Sequence, residues 1–261
     1  MSSFFTTENA FFQGLHFITV KSNALKKRAD LTVHTPSTTE GVLPIVILLH
    51  GVYGSHWAWA VKGKVHETSQ KLIDAGQINP MMLVMPSDGL YDDGSGYVPH
   101  KTADYERWII EDVLQVVKEQ FPQATDKSPI FITGLSMGGF GAMRLGAKYP
   151  SLFRAFSGLS SITHFNQLGE FVENFDQLQS DALEQDGVWE YLLKNKDHLP
   201  PFRFDCGSED ILIEYNRELH KNLSINNIPH TYQEFSGNHS WEYWEEHIAD
   251  TLLFFNQCLQ V

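Results

Sequence analysis

Ile130-Phe131-Ile132-Thr133-Gly134-Leu135-Ser136-Met137-Gly138-Gly139-Phe140-Gly141 is the stretch on which the fold turns. Its first four residues are strand formers with no polar alternation, the mark of a strand covered on both faces. Residues 140–148 are small and apolar at helical spacing and stop at Tyr149-Pro150, where a proline disfavours further helix. Between strand and helix lies G-x-S-x-G, a turn that places a serine in a strained backbone conformation.

The same alternation extends outward on both sides. Upstream, residues 44–49 form a continuous apolar run ended by His50-Gly51, and residues 81–85 another ended by Pro86. Helical spacing over residues 61–75 and 105–121 separates these runs. Downstream, residues 155–158, 202–206 and 230–235 read as strands, with helices over 213–223 and 241–258. Residues 15–20 and 31–35 read as a β-hairpin, an antiparallel edge. Strands alternating with helices predict an α/β fold with a mostly parallel central sheet and helices on both faces. Residues 160–200 have weaker periodicity and mix aromatic with acidic side chains, so they are expected to form a small helical, cap-like insertion in a single domain spanning 1–261.

The composition is that of a globular chain, 42% hydrophobic and 20% charged over 261 residues. Its net charge of -13, from 19 Lys+Arg against 32 Asp+Glu, repels phosphate backbones and anionic lipid, which argues against nucleic-acid and membrane partners. The first residues lack the basic start and long apolar run of an export signal, so a cytoplasmic location is expected. Cys206 and Cys258 are expected to be inert buried thiols. There is no metal-ligand spacing and no phosphate-binding loop, and the chemistry is expected to need no cofactor and no metal. Residues 87–94, Ser-Asp-Gly-Leu-Tyr-Asp-Asp-Gly, lack the terminal glutamate of a calcium loop and read as a turn-rich connection. The sequence leaves formation of a homo-oligomer open.

A serine hydroxyl becomes a nucleophile when a neutral imidazole takes its proton, and strand-turn-helix serines of this kind are followed in sequence by the acid and then the histidine. His220, His230 and His247 fall within helices or at a strand start. His239 lies instead in the loop between the last strand and the last helix, at the edge of the sheet where open α/β folds bind ligands. For the acid, Asp210 follows the strand 202–206 in a loop, with Glu209 and Asp205 as alternatives. The oxyanion of acyl transfer needs two preorganised N–H donors. Met137, after the serine, offers one, and Val52 the other, with Tyr53 as the alternative. His50 is expected to be a hydrogen-bonded structural residue. Tyr53, Trp57, Trp59, Tyr91 and Tyr97 are candidates for either the pocket border or the core.

Taken in order, Leu48-Leu49-His50-Gly51, the GLSMGGFG of residues 134–141, the DCGSED of 205–210 and Gly237-Asn238-His239-Ser240-Trp241 resemble the putative esterase family. That family includes tributyrin-type esterases, S-formylglutathione hydrolases, feruloyl esterases and mycolyltransferase antigens. The resemblance covers residues 15–255 and implies an α/β-hydrolase core with a triad falling on Ser136, Asp210 and His239. It is strongest to the small tributyrin-type esterases, and implies a serine carboxylesterase acting on short-chain acyl esters, with small-molecule ester substrates. A thioesterase of the S-formylglutathione hydrolase type is the alternative, although Phe140 stands where those enzymes usually have histidine. A catalytically silent binding protein of the same fold is the alternative from another class.

Overall fold

The structure is a computed structural model that describes residues 7–12, 14–37 and 41–259. Nine strands form one sheet in the order β1-β2-β3-β5-β4-β6-β7-β8-β9. They are β1 (Thr7–Phe12), β2 (Leu15–Lys21), β3 (Arg28–His34), β4 (Ile45–Leu49), β5 (Met82–Pro86), β6 (Ile130–Gly134), β7 (Ala155–Leu159), β8 (Phe202–Gly207) and β9 (Thr231–Phe235). Pairings from β1 through β3 to β5 are antiparallel, and those from β5 through β4 to β9 are parallel.

Both faces of the central strands are buried, which explains their uninterrupted apolar sequence. Ile45, Ile47 and Leu49 of β4 enter one apolar core, while Val46 and Leu48 enter the other. The second core receives α1 (Ala58–Val61), α2 (Val65–Asp74) and, above all, α9 (Trp241–Cys258), whose Phe255 stacks on Phe131 with centroids 4.8 Å apart. On the first face lie α3 (Tyr105–Arg107), a π-helical turn (Trp108–Val113), α4 (Leu114–Gln120), α5 (Met137–Lys148), α7 (Val188–Lys194) and α8 (Ile213–Ile225). This is the mostly parallel, two-face-covered α/β sheet that the strand and helix spacing predicts.

Three local departures have physical causes. The expected helix over 61–75 begins only at Val65. Lys64 takes a left-handed φ of 43°, and a Cβ on Gly63 would come within 2.9 Å of the Trp59 ring, so the chain must turn there. The expected helix over 105–121 opens into the π-helical turn, with Trp108 Nε1 donating to Ser87 O and Asp112 accepting from Ser22 and the Ala24 amide. Strand β1 has no sequence signature because its side chains are mostly exposed. It exists through backbone pairing with β2, from Thr7 opposite Val20 to Phe12 opposite Leu15.

Residues 160–200 contain a 3-10 helix (Phe165–Glu170), α6 (Phe175–Asp181) and α7. Phe165, Leu168, Leu178 and Leu192 belong to the same apolar core as α5. An ion network, buried at Arg144 and Glu106 and partly exposed at Lys148 and Glu184, fixes this attachment. Arg144 of α5 holds Glu106 at 2.5 Å and also Glu184, while Lys148 bridges the same two carboxylates at 2.7 and 2.6 Å.

Candidate active site

Ser136 sits between β6 and α5 with φ 53° and ψ -120°, a conformation that side chains rarely adopt. The turn is possible because the residues two positions to either side, Gly134 and Gly138, have no side chains. A Cβ on Gly134 would lie 2.3 Å from Gly138 O, and one on Gly138 would lie 2.3 Å from Leu49 O. The serine amide is anchored to Leu159 O at 3.0 Å. Strain of this kind persists only where the surroundings over-determine it.

His239 comes from the loop after β9, at the same edge of the sheet. Its Nε2 lies 3.0 Å from Ser136 Oγ, and its Nδ1 lies 3.0 and 2.9 Å from the two carboxylate oxygens of Asp210. Asp210 can only accept, so Nδ1 carries the hydrogen and Nε2 is left to accept from the serine hydroxyl. The Asp210 side chain is fully buried, and its Oδ1 also accepts from the Leu212 amide at 2.8 Å.

The two other carboxylates considered for the acid go elsewhere. Glu209 braces the histidine loop from outside, accepting from the Gly237 amide at 3.0 Å. Asp205 is enclosed in β8 between Arg203 at 2.9 Å and the Tyr243 hydroxyl at 2.9 Å. Burial pushes its carboxyl up to about 6, with Arg203 opposing the shift. Neither carboxylate reaches His239.

The loop after β4 supplies backbone rather than side chains. Tyr53 N–H is already bonded to Asp93 O at 2.9 Å, so of the two residues considered as the second donor, Val52 keeps the open amide. His50 lies behind it. His50 Nδ1 donates to Gly51 O at 2.7 Å and Nε2 accepts from the Asp88 amide at 2.9 Å. Because Gly51 C=O and Val52 N–H belong to one planar trans peptide, fixing the carbonyl fixes the amide pointing the opposite way. Burial lowers the basicity of His50, which suits the neutral tautomer those two bonds require, while Asp88 opposes that shift. On the other side, Met137 opens α5, where the first amides have no partner within the helix.

The loop of residues 87–94 therefore has a structural task. Asp88 Oδ1 and Oδ2 accept from the Leu90 and Ser95 amides at 2.8 and 2.7 Å, and Asp88 N–H holds His50.

Ser136 and His239 form the floor of a cavity of about 310 Å³. Tyr53 and Trp57 line it, whereas Trp59 and Tyr97 are core residues bonded to Leu49 O and His50 O, and Tyr91 bonds Asp181. Sequence reasoning missed Phe171, Trp241, Trp244 and Lys62. Phe171 stacks on the His239 ring at 5.8 Å, and Tyr53 donates its hydroxyl to Phe171 O, closing one side. Trp244 meets His239 edge-on at 4.9 Å. The signal for the two tryptophans was present, since both lie in the first turn of the helix that follows His239. The remaining histidines singled out pair away from the cavity, His220 with His230 at 2.8 Å and His247 with Asp250 at 3.0 Å. Among the described residues no helix is long and apolar enough to cross a membrane.

The family described as "Putative esterase" has a model that matches residues 22–255. An acetyl esterase of Caldicellulosiruptor saccharolyticus is 26% identical over 225 residues, covering 80% of this chain and 81% of that protein. Among solved structures, a ferulic acid esterase superposes with a TM-score of 0.83 at 23% identity, over 94% of this chain and 97% of that one. An S-formylglutathione hydrolase from Staphylococcus aureus gives 0.76 at 20% identity, over 97% and 99%. At such identities the two structures bear on the fold alone.

Proposed function

Because the chain belongs to the putative esterase family and has its α/β-hydrolase fold, we propose that it is a serine carboxylesterase hydrolysing short-chain acyl esters through an acyl-enzyme on Ser136. The observation that carries the reading is the hydrogen-bonded line from Asp210 through His239 to Ser136, ending on the floor of an open cavity. The acetyl esterase relative and the modest cavity favour small acyl groups.

Ser136 Oγ attacks the ester carbonyl carbon as its proton passes to His239 Nε2. The carbonyl oxygen becomes an oxyanion that accepts from the Val52 and Met137 amides. Collapse expels the alcohol, which takes the proton from His239 and leaves the acyl group on Ser136. Water then attacks the acyl carbon, giving its proton to His239, and the acid departs as Ser136 regains a proton. Asp210 holds the imidazole in the tautomer that can begin each half. A binding role without catalysis would need none of this alignment. The same proposal places the enzyme in the cytoplasm, where the two buried, unpaired cysteines would remain thiols.

Hydrolysis of 4-nitrophenyl esters from acetate to octanoate, with Ser136→Ala beside the wild type, tests the reading. Turnover should be fastest for acetate or butyrate and fall about 10⁴-fold or more in kcat in the variant. Turnover that survives in Ser136→Ala would overturn the assignment.

A further inference from the structure

Among the described residues that line the cavity above Ser136, one carries a Lys, Arg, Asp or Glu side chain: Lys62, a basic one. In a chain with 32 acids against 19 bases, chance favours the opposite sign. Lys62 caps the end of α1, and its ammonium lies 5.9 Å from the centre of the Trp241 ring. Attraction to the face of an indole directs such a group along the aromatic wall. Its neighbour Lys64 is paired with Glu245 at 2.9 Å, whereas no carboxylate among the described residues forms an ion pair with Lys62. The wall that it shares with Trp57 and Trp241 is apolar, so an anion brought there meets one cation and little competing polarity.

We propose that the substrate is an ester carrying an anionic group, a carboxylate or similar oxyanion, joined to the reacting carbonyl by an apolar stretch that lies on Trp57 and Trp241 while the anion meets Lys62. This rests on the esterase reading above and narrows it from short esters in general to charged ones. Lys62 is then a specificity-determining residue: it touches the substrate away from the reacting atoms. Its pull also counters the repulsion that a net charge of -13 exerts on any anionic ligand.

Two matched pairs of esters locate the charge. Mono(4-nitrophenyl) adipate against 4-nitrophenyl hexanoate places it on the acyl side, and 3-carboxy-4-nitrophenyl butyrate against 4-nitrophenyl butyrate places it on the leaving group. The readout is the ratio of kcat/KM for the anionic ester to that for its neutral partner, in which intrinsic reactivity cancels between enzyme variants. In one pair the ratio should drop about fivefold in Lys62→Gln and further in Lys62→Glu, as expected for one partly exposed charge pair. Added salt should erode the wild-type ratio and leave that of Lys62→Gln nearly flat. Ratios that stay constant across wild type, Lys62→Gln and Lys62→Glu in both pairs, with the esters still hydrolysed, would overturn the role of Lys62 and leave the esterase intact. Absence of turnover for all four esters would remove the esterase reading and this inference with it.

Discussion

At the carboxyl edge of the parallel strands, both ring nitrogens of His50 and both of His239 are hydrogen-bonded. At the opposite edge, where His34 ends β3 across from Leu83, the Nδ1 atoms of His34 and of nearby His66 are buried without a hydrogen-bond partner among the described residues. Each edge holds buried imidazoles, but by different means. At the first, partners dictate which nitrogen carries the hydrogen. At the second, no such partner does, and burial, with His66 and His16 adding to it, lowers His34 to about 4. An edge that does chemistry must control where a proton is, whereas an edge that only packs must avoid acquiring one.

The largest effect that would break this contrast concerns two carboxylates five positions apart. Asp210→Asn keeps the shape but can no longer only accept, so His239 loses the tautomer that leaves Nε2 free for the serine. The expected loss is about 10⁴-fold in kcat with the fold retained. Asp205→Asn should do the reverse. It removes the partner of buried Arg203, lowering Tm, while the folded enzyme keeps kcat within a few-fold. Paired kinetic and thermal measurements that returned the opposite pattern would move the acid to Asp205.

A smaller loss tests the backbone half of the same edge. If His50 orients the Val52 amide through Gly51 O, its removal weakens an interaction that strengthens only as the oxyanion forms. His50→Ala should therefore lower kcat by about 10- to 100-fold with KM nearly unchanged, a fraction of what loss of a whole oxyanion donor costs. His50→Asn, whose amide can still donate toward Gly51 O, should recover part of the rate. Equal losses in the two variants, or a change confined to KM, would leave His50 with a packing role only.

The two halves of the edge were unequally legible in the sequence. Ser136 and His239 were read from context, because G-x-S-x-G between an apolar strand and a small-residue helix, and a histidine in the last β-to-α loop, are local patterns. The acid was read as Asp210 with Glu209 and Asp205 kept as alternatives, since all three lie within six residues and only the turn after β8 decides which one faces the histidine. The place of Val52 was read from its position after β4, yet the choice over Tyr53 depends on the bond from Tyr53 N–H to Asp93 O, across forty residues. Phe171 was invisible because residues 160–200 carry no periodicity that marks an inward face. Strand β1 escaped for a related reason: backbone pairing holds it, and pairing leaves no pattern in exposed side chains.

The smallest effect at neutral pH belongs to the packing edge, and there the sign follows from burial. The folded protein keeps His34 neutral down to about pH 4, while the unfolded chain takes up a proton near pH 6.5. Between those values the unfolded state binds more protons, so stability is intact above pH 6.5 and drains as pH falls toward 4. The shift sets an upper bound of about 3 kcal/mol on the loss. His34→Leu removes the proton acceptor and should flatten the decline of Tm between pH 6.5 and 4, with kcat at pH 8 matching wild type. A variant whose Tm falls as steeply as wild type over that range would place the acid sensitivity in other groups and erase the distinction between the two edges.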